Sequence, residues 1–539
     1  MEAGLHIRMQ GVIAILVLLV TLPAHCGAQG KTSTPVGPRV TIDAGVLEGT
    51  HFSSRPNDVA FLGIPYAAPP VRDLRWRPPQ KPVAWKGILN ADAYGPACPQ
   101  LPSGWLPEML GRNQMVTDEA CLFLNVWTTN LSAKSKLPVM VWIHGGGNIE
   151  GSQEWPPLGP VLAKHGVVVV TINYRLGVFG YFSHPALSAE SPHHSSGNYG
   201  LLDQIEALHW VRRNIDKFGG DPTQVTIFGA SSGSLDICDL MASPSAAGLF
   251  QGAILQSGVC VDGLAPLLDH AEAGGKRLAA ALGTGEDLQA LNKLRAIPAE
   301  ELLHSAAQTK DMDFNPVVDG WVFHEQPATT FAEGRQAKIP VIVGSNSDEV
   351  SIFASPLVGG TSNRPKTVEE YHHWLDQTFK DHARDILSAY PTRSDEDVPD
   401  AFLEMDTDYE FGFGSWLLAR EMTRGGSKAF LYRFSYVGAG QFAALGAFHS
   451  EESILLSKKY WTSWVRSSDD EKLSNTIIGY WVQFAKTSRP DGPALPAWPA
   501  YELETDRCQE LGRKVGQIAT PRASSFTVFE QMLKEQLAK

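Results

Sequence analysis

Residues 225–234 read Val-Thr-Ile-Phe-Gly-Ala-Ser-Ser-Gly-Ser, an apolar β-type run that leads straight into a Gly-x-Ser-x-Gly turn and then a helical pattern. This order predicts a nucleophile elbow, in which glycine on both sides leaves room for a tight turn that lifts the Ser231 hydroxyl above a sheet. The helix that follows would point its first amides at the reacting centre. An ordinary Gly/Ser loop is the alternative, since the bare motif is common by chance.

Further short apolar runs rich in β-branched residues lie on both sides of this stretch, at 137–143, 166–173, 252–256, 339–344 and 429–436. Such runs are typical of strands buried on both faces, and helical patterns separate several of them. We therefore predict an α/β fold with a large, mostly parallel central sheet and helices on both faces. Residues 40–84 predict an antiparallel N-terminal edge, and 262–310 and 365–425 predict insertions that cover one end of the sheet.

A serine hydroxyl becomes a good nucleophile only with a base that takes its proton and an acid that orients the base. After such an elbow the expected chain order is serine, acid, histidine. Glu349 directly follows the predicted strand 339–343, although neighbouring Asp348 competes for this role. Four histidines come later, and only His449 lies in a loop behind a predicted strand; the others are His372, His373 and His382. The predicted set is therefore Ser231, Glu349 and His449.

A glycine-rich loop, His144-Gly145-Gly146-Gly147, follows the strand at 137–143. Its position upstream of the serine predicts an oxyanion hole built from the amides of Gly146 and Gly147, with the amide of Ser232 as third donor. A phosphate-binding loop is the alternative, but no Gly-Lys-Ser/Thr follows. We predict no metal, because the sequence lacks a His-Glu-x-x-His motif. We also expect no cofactor.

Composition and the N-terminus limit the class of protein. The chain has 539 residues, 43% of them hydrophobic, and a net charge of -13, which disfavours nucleic acid as a partner. Residues 1–28 predict a signal peptide cut after Ala28, with a lipoprotein anchor on Cys26 as the less favoured reading. No later stretch is apolar and long enough to span a membrane. We expect a secreted or periplasmic protein with one domain over 29–539, acting as a monomer or homodimer.

Five cysteines follow the predicted cleavage site, so at least one should be free: Cys98, Cys121, Cys238, Cys260 and Cys508. Export favours disulfides, and Cys98 with Cys121 could pair, the alternative being two buried thiols. Whether Cys238 and Cys260 pair stays open, because spacing does not fix connectivity.

The chain resembles the type-B carboxylesterase and lipase family, the cholinesterase-like branch of the α/β-hydrolases. The resemblance rests on residues 61–76, 118–126, 173–175, 197–204 and 218–222 together with the elbow. It implies Ser231, His449 and Glu349, rather than Asp348, as the catalytic set. It also implies Gly146, Gly147 and Ser232 as oxyanion donors, a Cys98–Cys121 disulfide, and ion pairs of Arg75 with Glu119 and of Arg175 with Asp203.

Two residues depart from the family pattern near the site. Ala230 stands where the family usually has glutamate, and Asn148 stands where it often has an aromatic residue that forms the wall beside the oxyanion hole. We expect a serine carboxylesterase for small-molecule esters with altered kinetics or substrate choice. The alternatives are a non-catalytic cholinesterase-like adhesion domain, a lipase, or a carbamate or amide hydrolase.

Overall fold

Eleven strands form one large sheet in the computed structural model, which describes residues 37–101, 115–355, 364–459 and 464–538. The predicted signal peptide lies outside these residues. The strands in chain order are β1 (Arg39–Ile42), β2 (Gly45–Glu48), β3 (Thr50–His51), β4 (Val59–Pro65), β5 (Ile88–Asn90), β6 (Phe123–Thr128), β7 (Leu137–Ile143), β8 (Val168–Ile172), β9 (Gly220–Ala230), β10 (Gly252–Gln256), β11 (Val341–Asn346), β12 (Ala429–Phe434), β13 (Ala439–Gly440), β14 (Trp464–Val465), β15 (Arg507–Leu511) and β16 (Val515–Ala519).

The strand order across the large sheet is β16-β15-β12-β11-β10-β9-β7-β8-β6-β4-β3. The neighbours from β8 to β15 pair in parallel, and β6, β4 and β3 continue the sheet antiparallel. The predicted mostly parallel sheet with an antiparallel N-terminal edge is confirmed. A second antiparallel edge, the β15–β16 hairpin, was not predicted. β1, β2 and β5 form a separate small sheet.

Alternate residues of the central strands enter two different hydrophobic cores, as the two-residue period of a strand requires. In β7, Val139, Val141 and Ile143 belong to one core, whereas Met140 and Trp142 belong to the other. Both faces of the sheet are therefore buried, which explains why the strands read as continuous apolar runs.

Helices cover both faces of the sheet. The helices Tyr199–Asn214 and Ser232–Ala242 contribute apolar residues to the first core, and the helices Gly159–Leu162 and Ser468–Thr487 contribute to the second. The helices are α1 (Gly159–Leu162), α2 (Gly177–Gly180), α3 (Pro185–Glu190), α4 (Tyr199–Asn214), α5 (Ser232–Ala242), α6 (Leu268–Ala281), α7 (Leu288–Ala296), α8 (Ala299–Gln308), α9 (Pro327–Ala332), α10 (Val368–Phe379), α11 (Ala383–Ala389), α12 (Val398–Thr407), α13 (Phe413–Arg424), α14 (Glu451–Ser457), α15 (Ser468–Thr487) and α16 (Ala523–Leu537).

None of the helices within the described residues is both long and apolar enough to cross a membrane. By its backbone contacts, the chain from Gly37 onward forms one compact unit.

Two disulfides are present. Cys98 is bonded to Cys121, with their Cα atoms 5.0 Å apart, and Cys238 is bonded to Cys260, with 5.5 Å between Cα atoms. The second bond ties α5 to the loop that follows β10 and answers the question that spacing left open. Cys508 is buried and free.

Both ion pairs implied by the resemblance are formed, and the Arg175–Asp203 pair is buried on both sides. Asp203 accepts hydrogen bonds from Nε and Nη2 of Arg175, both at 2.7 Å, and from the Arg175 backbone amide. Glu119 accepts from Nε of Arg75 at 2.7 Å. The Arg175–Asp203 pair joins the loop after β8 to α4.

We predict that Asp203→Ala lowers the free energy of unfolding by about 3–5 kcal/mol, because it leaves the Arg175 guanidinium buried without a counter-charge. Urea unfolding measures this loss. The matched control is Asp216→Ala, which breaks the largely exposed pair with Lys217 and should cost under about 0.5 kcal/mol. Equal losses in the two variants would contradict the assigned role of the buried pair.

Candidate active site

The parallel strands place the predicted site residues along one edge of the sheet, because the carboxyl ends of parallel strands meet there. β7 ends at Ile143, before the glycine-rich loop, and β9 ends at Ala230, before Ser231. β11 ends at Asn346, three residues before Glu349. Ile143 pairs with Gly229 in neighbouring strands, so the loop and the elbow leave the sheet side by side.

Ser231 occupies the sharp turn between β9 and α5. Its φ of 56° and ψ of -130° lie in a region that side-chain-bearing residues rarely adopt. A Cβ on Gly233 would lie 2.3 Å from the carbonyl oxygen of Ile143, so only glycine fits there. The strained serine between closely packed glycines is the geometry of a nucleophile elbow.

The glycine-rich loop lies against this turn. A Cβ on Gly145 would come within 2.9 Å of the Ser231 Cβ. Gly146 and Gly147 have φ values of 116° and 61°, and Asn148 continues in the left-handed region at 59°. The predicted oxyanion donors are therefore on a loop next to the predicted nucleophile.

Glu349 and His449 are in direct contact, 100 residues apart in sequence. Nδ1 of His449 lies 2.6 Å from Oε2 of Glu349, and the His449 amide donates to the Glu349 carbonyl at 3.2 Å. The other carboxylate oxygen accepts from the Asn346 amide at 2.7 Å, and Glu349 is fully buried. Nε2 of His449 has no hydrogen-bond partner among the described residues. No hydrogen bond therefore joins Nε2 of His449 to Ser231.

Asp348, the competing acid, has a different partner. Its Oδ2 accepts from the Ala447 amide at 2.9 Å and from the Ser347 hydroxyl at 2.6 Å. It therefore braces the loop that carries His449, and Glu349 is the acid that touches the imidazole.

Glu452 is a second buried carboxylate near the Glu349–His449 pair, and it was not predicted from the sequence. It accepts from Gln256 Nε2 at 2.9 Å and from Asn346 Nδ2 at 2.8 Å. Burial, and next the charge of Glu349, raise the pKa of Glu452. Gln256 and Asn346 are the last residues of β10 and β11. Polar side chains at the ends of apolar strands are the sequence feature from which this cluster could have been predicted.

Two phenylalanine rings flank His449. The rings of Phe353 and Phe411 lie 5.2 Å and 4.8 Å from the imidazole, measured between ring centroids. Phe411 belongs to a π-helical turn, Asp408–Gly412, inside the predicted insertion 365–425. This insertion therefore supplies an apolar wall beside the predicted base.

Asn148, which stands where the family often has an aromatic residue, points into the protein interior. It is fully buried, and its Nδ2 donates to Oδ1 of Asp236 at 3.0 Å. Asp236, on α5, was not singled out from the sequence. Burial raises the pKa of Asp236 to about 7. Ala230 is also buried and packs in the second core.

The described ranges contain no cluster of three or more His, Cys, Asp or Glu side chains arranged to hold a metal ion.

The chain is similar to known esterases over most of its length. Residues 36–528 match the carboxylesterase family. The chain is 38% identical over 511 residues to a fumonisin B1 esterase from Sphingopyxis macrogoltabida, covering 90% of each chain. It is 34% identical over 531 residues to carboxylesterase 1D of Rattus norvegicus, covering 89% of this chain and 90% of the relative.

Solved structures agree with the fold. A PNB esterase structure superposes with a TM-score of 0.77 at 33% identity, covering 91% of this chain and 99% of that chain. A Geobacillus stearothermophilus carboxylesterase also gives 0.77, at 30% identity and the same coverage. The α/β-hydrolase fold implied by the resemblance is thereby confirmed.

We predict that Glu349→Gln lowers kcat for ester hydrolysis by on the order of 10⁴-fold, because a neutral amide no longer fixes the tautomer and charge of His449. Steady-state kinetics with a p-nitrophenyl ester measures the loss. Asp348→Asn is the matched control and should keep kcat within about tenfold, since its amide oxygen still accepts the Ala447 bond. A larger loss in Asp348→Asn than in Glu349→Gln would exchange the two assignments.

Proposed function

Because the chain belongs to the carboxylesterase family, we propose that it hydrolyses small-molecule carboxylic esters through an acyl-enzyme on Ser231, with His449 as base and Glu349 as acid. The observation that carries this proposal is the His449 imidazole, bound through Nδ1 to a buried carboxylate while Nε2 has no partner among the described residues. An imidazole held in this way is oriented to accept a proton from a neighbouring hydroxyl.

In the first half-reaction the Ser231 oxygen attacks the ester carbonyl carbon, and Nε2 of His449 takes the serine proton. The carbonyl oxygen becomes an oxyanion, which the amides of Gly146, Gly147 and Ser232 would hold. The tetrahedral intermediate collapses when the carbon–oxygen bond to the alcohol breaks and His449 protonates the leaving oxygen. An acyl ester on Ser231 remains.

In the second half-reaction a water molecule replaces the alcohol. His449 takes a proton from the water, whose oxygen attacks the acyl carbon, and the resulting intermediate expels the Ser231 oxygen as His449 returns the proton. Glu349 stabilises the imidazolium in both halves without becoming protonated itself. The products are a carboxylic acid and the free enzyme.

The substrate class follows from the relatives and from the wall beside His449. One relative is named a fumonisin B1 esterase, so fumonisin B1 belongs among the candidate substrates. Phe353 and Phe411 favour an apolar group next to the scissile bond. We further propose that residues 1–28 direct export and that 29–539 act as one domain, which the two disulfides support.

We predict that Ser231→Ala loses at least about 10⁴-fold in kcat/KM, because the members of such a triad act as a unit. Hydrolysis of p-nitrophenyl esters from acetate to palmitate measures this, and the chain-length profile separates an esterase from a lipase. Ser234→Ala is the matched control, since Ser234 on the same helix bonds to the Gly258 carbonyl instead.

A serine-reactive organophosphate should abolish turnover at one equivalent and label the peptide that contains Ser231. Fumonisin B1 belongs in the same substrate panel, with release of free carboxylic acid as the readout. If no ester is turned over and no serine is labelled, the proposal fails and a non-catalytic binding role takes its place.

A further inference from the structure

Asn148 is hydrogen-bonded through both its backbone and its side chain. Its backbone amide donates to the Ser232 hydroxyl at 3.1 Å, and its carbonyl accepts from the Gly177 amide at 2.7 Å. Its side-chain nitrogen donates to Asp236 at 3.0 Å. Its side-chain oxygen lies 3.3 Å from the Tyr174 hydroxyl, which donates its proton to the His144 carbonyl at 2.7 Å. A fully buried residue that is bonded through its backbone amide, its backbone carbonyl and its side chain fixes its part of the chain firmly.

Asn148 is attached to two successive turns of one helix. Ser232 and Asp236 are four residues apart in α5, so they lie on the same face. The backbone of Asn148 bonds to the first and its side chain to the second. These two bonds span one helical turn at the end of α5 that begins with the predicted oxyanion donor Ser232.

The loop needs such an attachment because its donors are on glycines. Glycine has the greatest backbone freedom, so Gly146 and Gly147 do not hold their amides in place by themselves. Asn148 follows them directly with a φ of 59°, a conformation that asparagine tolerates better than most residues. Its position at the loop's end fixes the direction in which the two preceding amides point.

Asp236 is itself held from two other elements. Gln204 of α4 donates to Oδ2 at 2.5 Å, and the Tyr181 hydroxyl donates to the same oxygen at 3.3 Å. The titratable groups that face it are Tyr174, Tyr181 and Asp239. Burial raises the pKa of all three well above their ordinary values. The ionised carboxylate of Asp236 accepts from all its donors at once, whereas protonation would turn one acceptor into a donor.

We propose that Asn148 and Asp236 form a clamp that holds the Gly146–Gly147 loop against α5, and that both are positioning residues for the oxyanion hole. The clamp rests on the proposed function, since it acts through the oxyanion donors. It acts on the transition state more than on substrate binding, because the donors matter most when the oxyanion forms.

The test is Asn148→Asp assayed at about pH 9, above the raised pKa of Asp236, where two ionised carboxylates repel each other and push the loop away from α5. We expect kcat per active site, counted by organophosphate titration, to fall by about 30- to 100-fold with KM nearly unchanged, because the donors are displaced and not deleted. Two adjacent carboxylates can share a proton, so the loss of kcat relative to wild type should become smaller as the pH falls.

The swapped variant Asn148→Asp/Asp236→Asn restores a carboxylate–amide pair in the opposite direction. It should recover kcat to within about fivefold of wild type, as expected when two residues act through one contact. The Ki of a trifluoromethyl ketone, whose hemiketal on Ser231 carries an oxyanion, should rise and recover in step with kcat. Asp216→Asn, which alters an exposed carboxylate paired with Lys217 before β9, is the matched control and should change neither constant.

Turnover by Ser231→Ala would refute the proposed function. If Ser231→Ala is inactive but Asn148→Asp keeps wild-type kcat and Ki, the clamp alone is refuted. The clamp is also refuted if the swapped variant folds, titrates fully and shows no recovery.

Discussion

The site depends on the close approach of the turn at Ser231 to the end of strand β7. Gly233 lies so near the carbonyl of Ile143 that a single added carbon would collide with it. This approach brings the glycine-rich loop, which begins after Ile143, within hydrogen-bonding distance of α5, as the bond between Asn148 and Ser232 shows. A residue larger than glycine at 233 would separate the predicted nucleophile from its predicted oxyanion donors.

Three buried carboxylates then hold the polar parts of the site in place. Asp236, Glu349 and Glu452 each accept at least two hydrogen bonds from neighbouring side chains or amides. A buried charge without such partners would be very costly, so these contacts must form when the protein folds. The fold itself therefore fixes these carboxylates and the groups bound to them, and electrostatic stabilisation of a transition state requires groups that are fixed in this way.

The sequence predicts most of this arrangement, because strands buried on both faces leave an apolar pattern that is easy to recognise. The runs at 137–143 and 252–256 coincide with β7 and β10, and the parallel order explains why Glu349 and His449 meet. The hairpin β15–β16 was missed because Arg507–Leu511 alternates weakly. The Asn148–Asp236 contact could not be foreseen, since it depends on a left-handed backbone at Asn148 and joins residues 88 apart. The same backbone directs the Asn148 side chain into the interior, where it contacts Asp236.

The most direct test of the account is a crystal structure of the enzyme after reaction with an organophosphate. We expect phosphorus bonded to the Ser231 oxygen, with the phosphoryl oxygen within hydrogen-bonding distance of the amides of Gly146, Gly147 and Ser232. Nε2 of His449 should then lie near the serine oxygen. Phosphorus on another residue, or a phosphoryl oxygen turned away from these amides, would contradict the account.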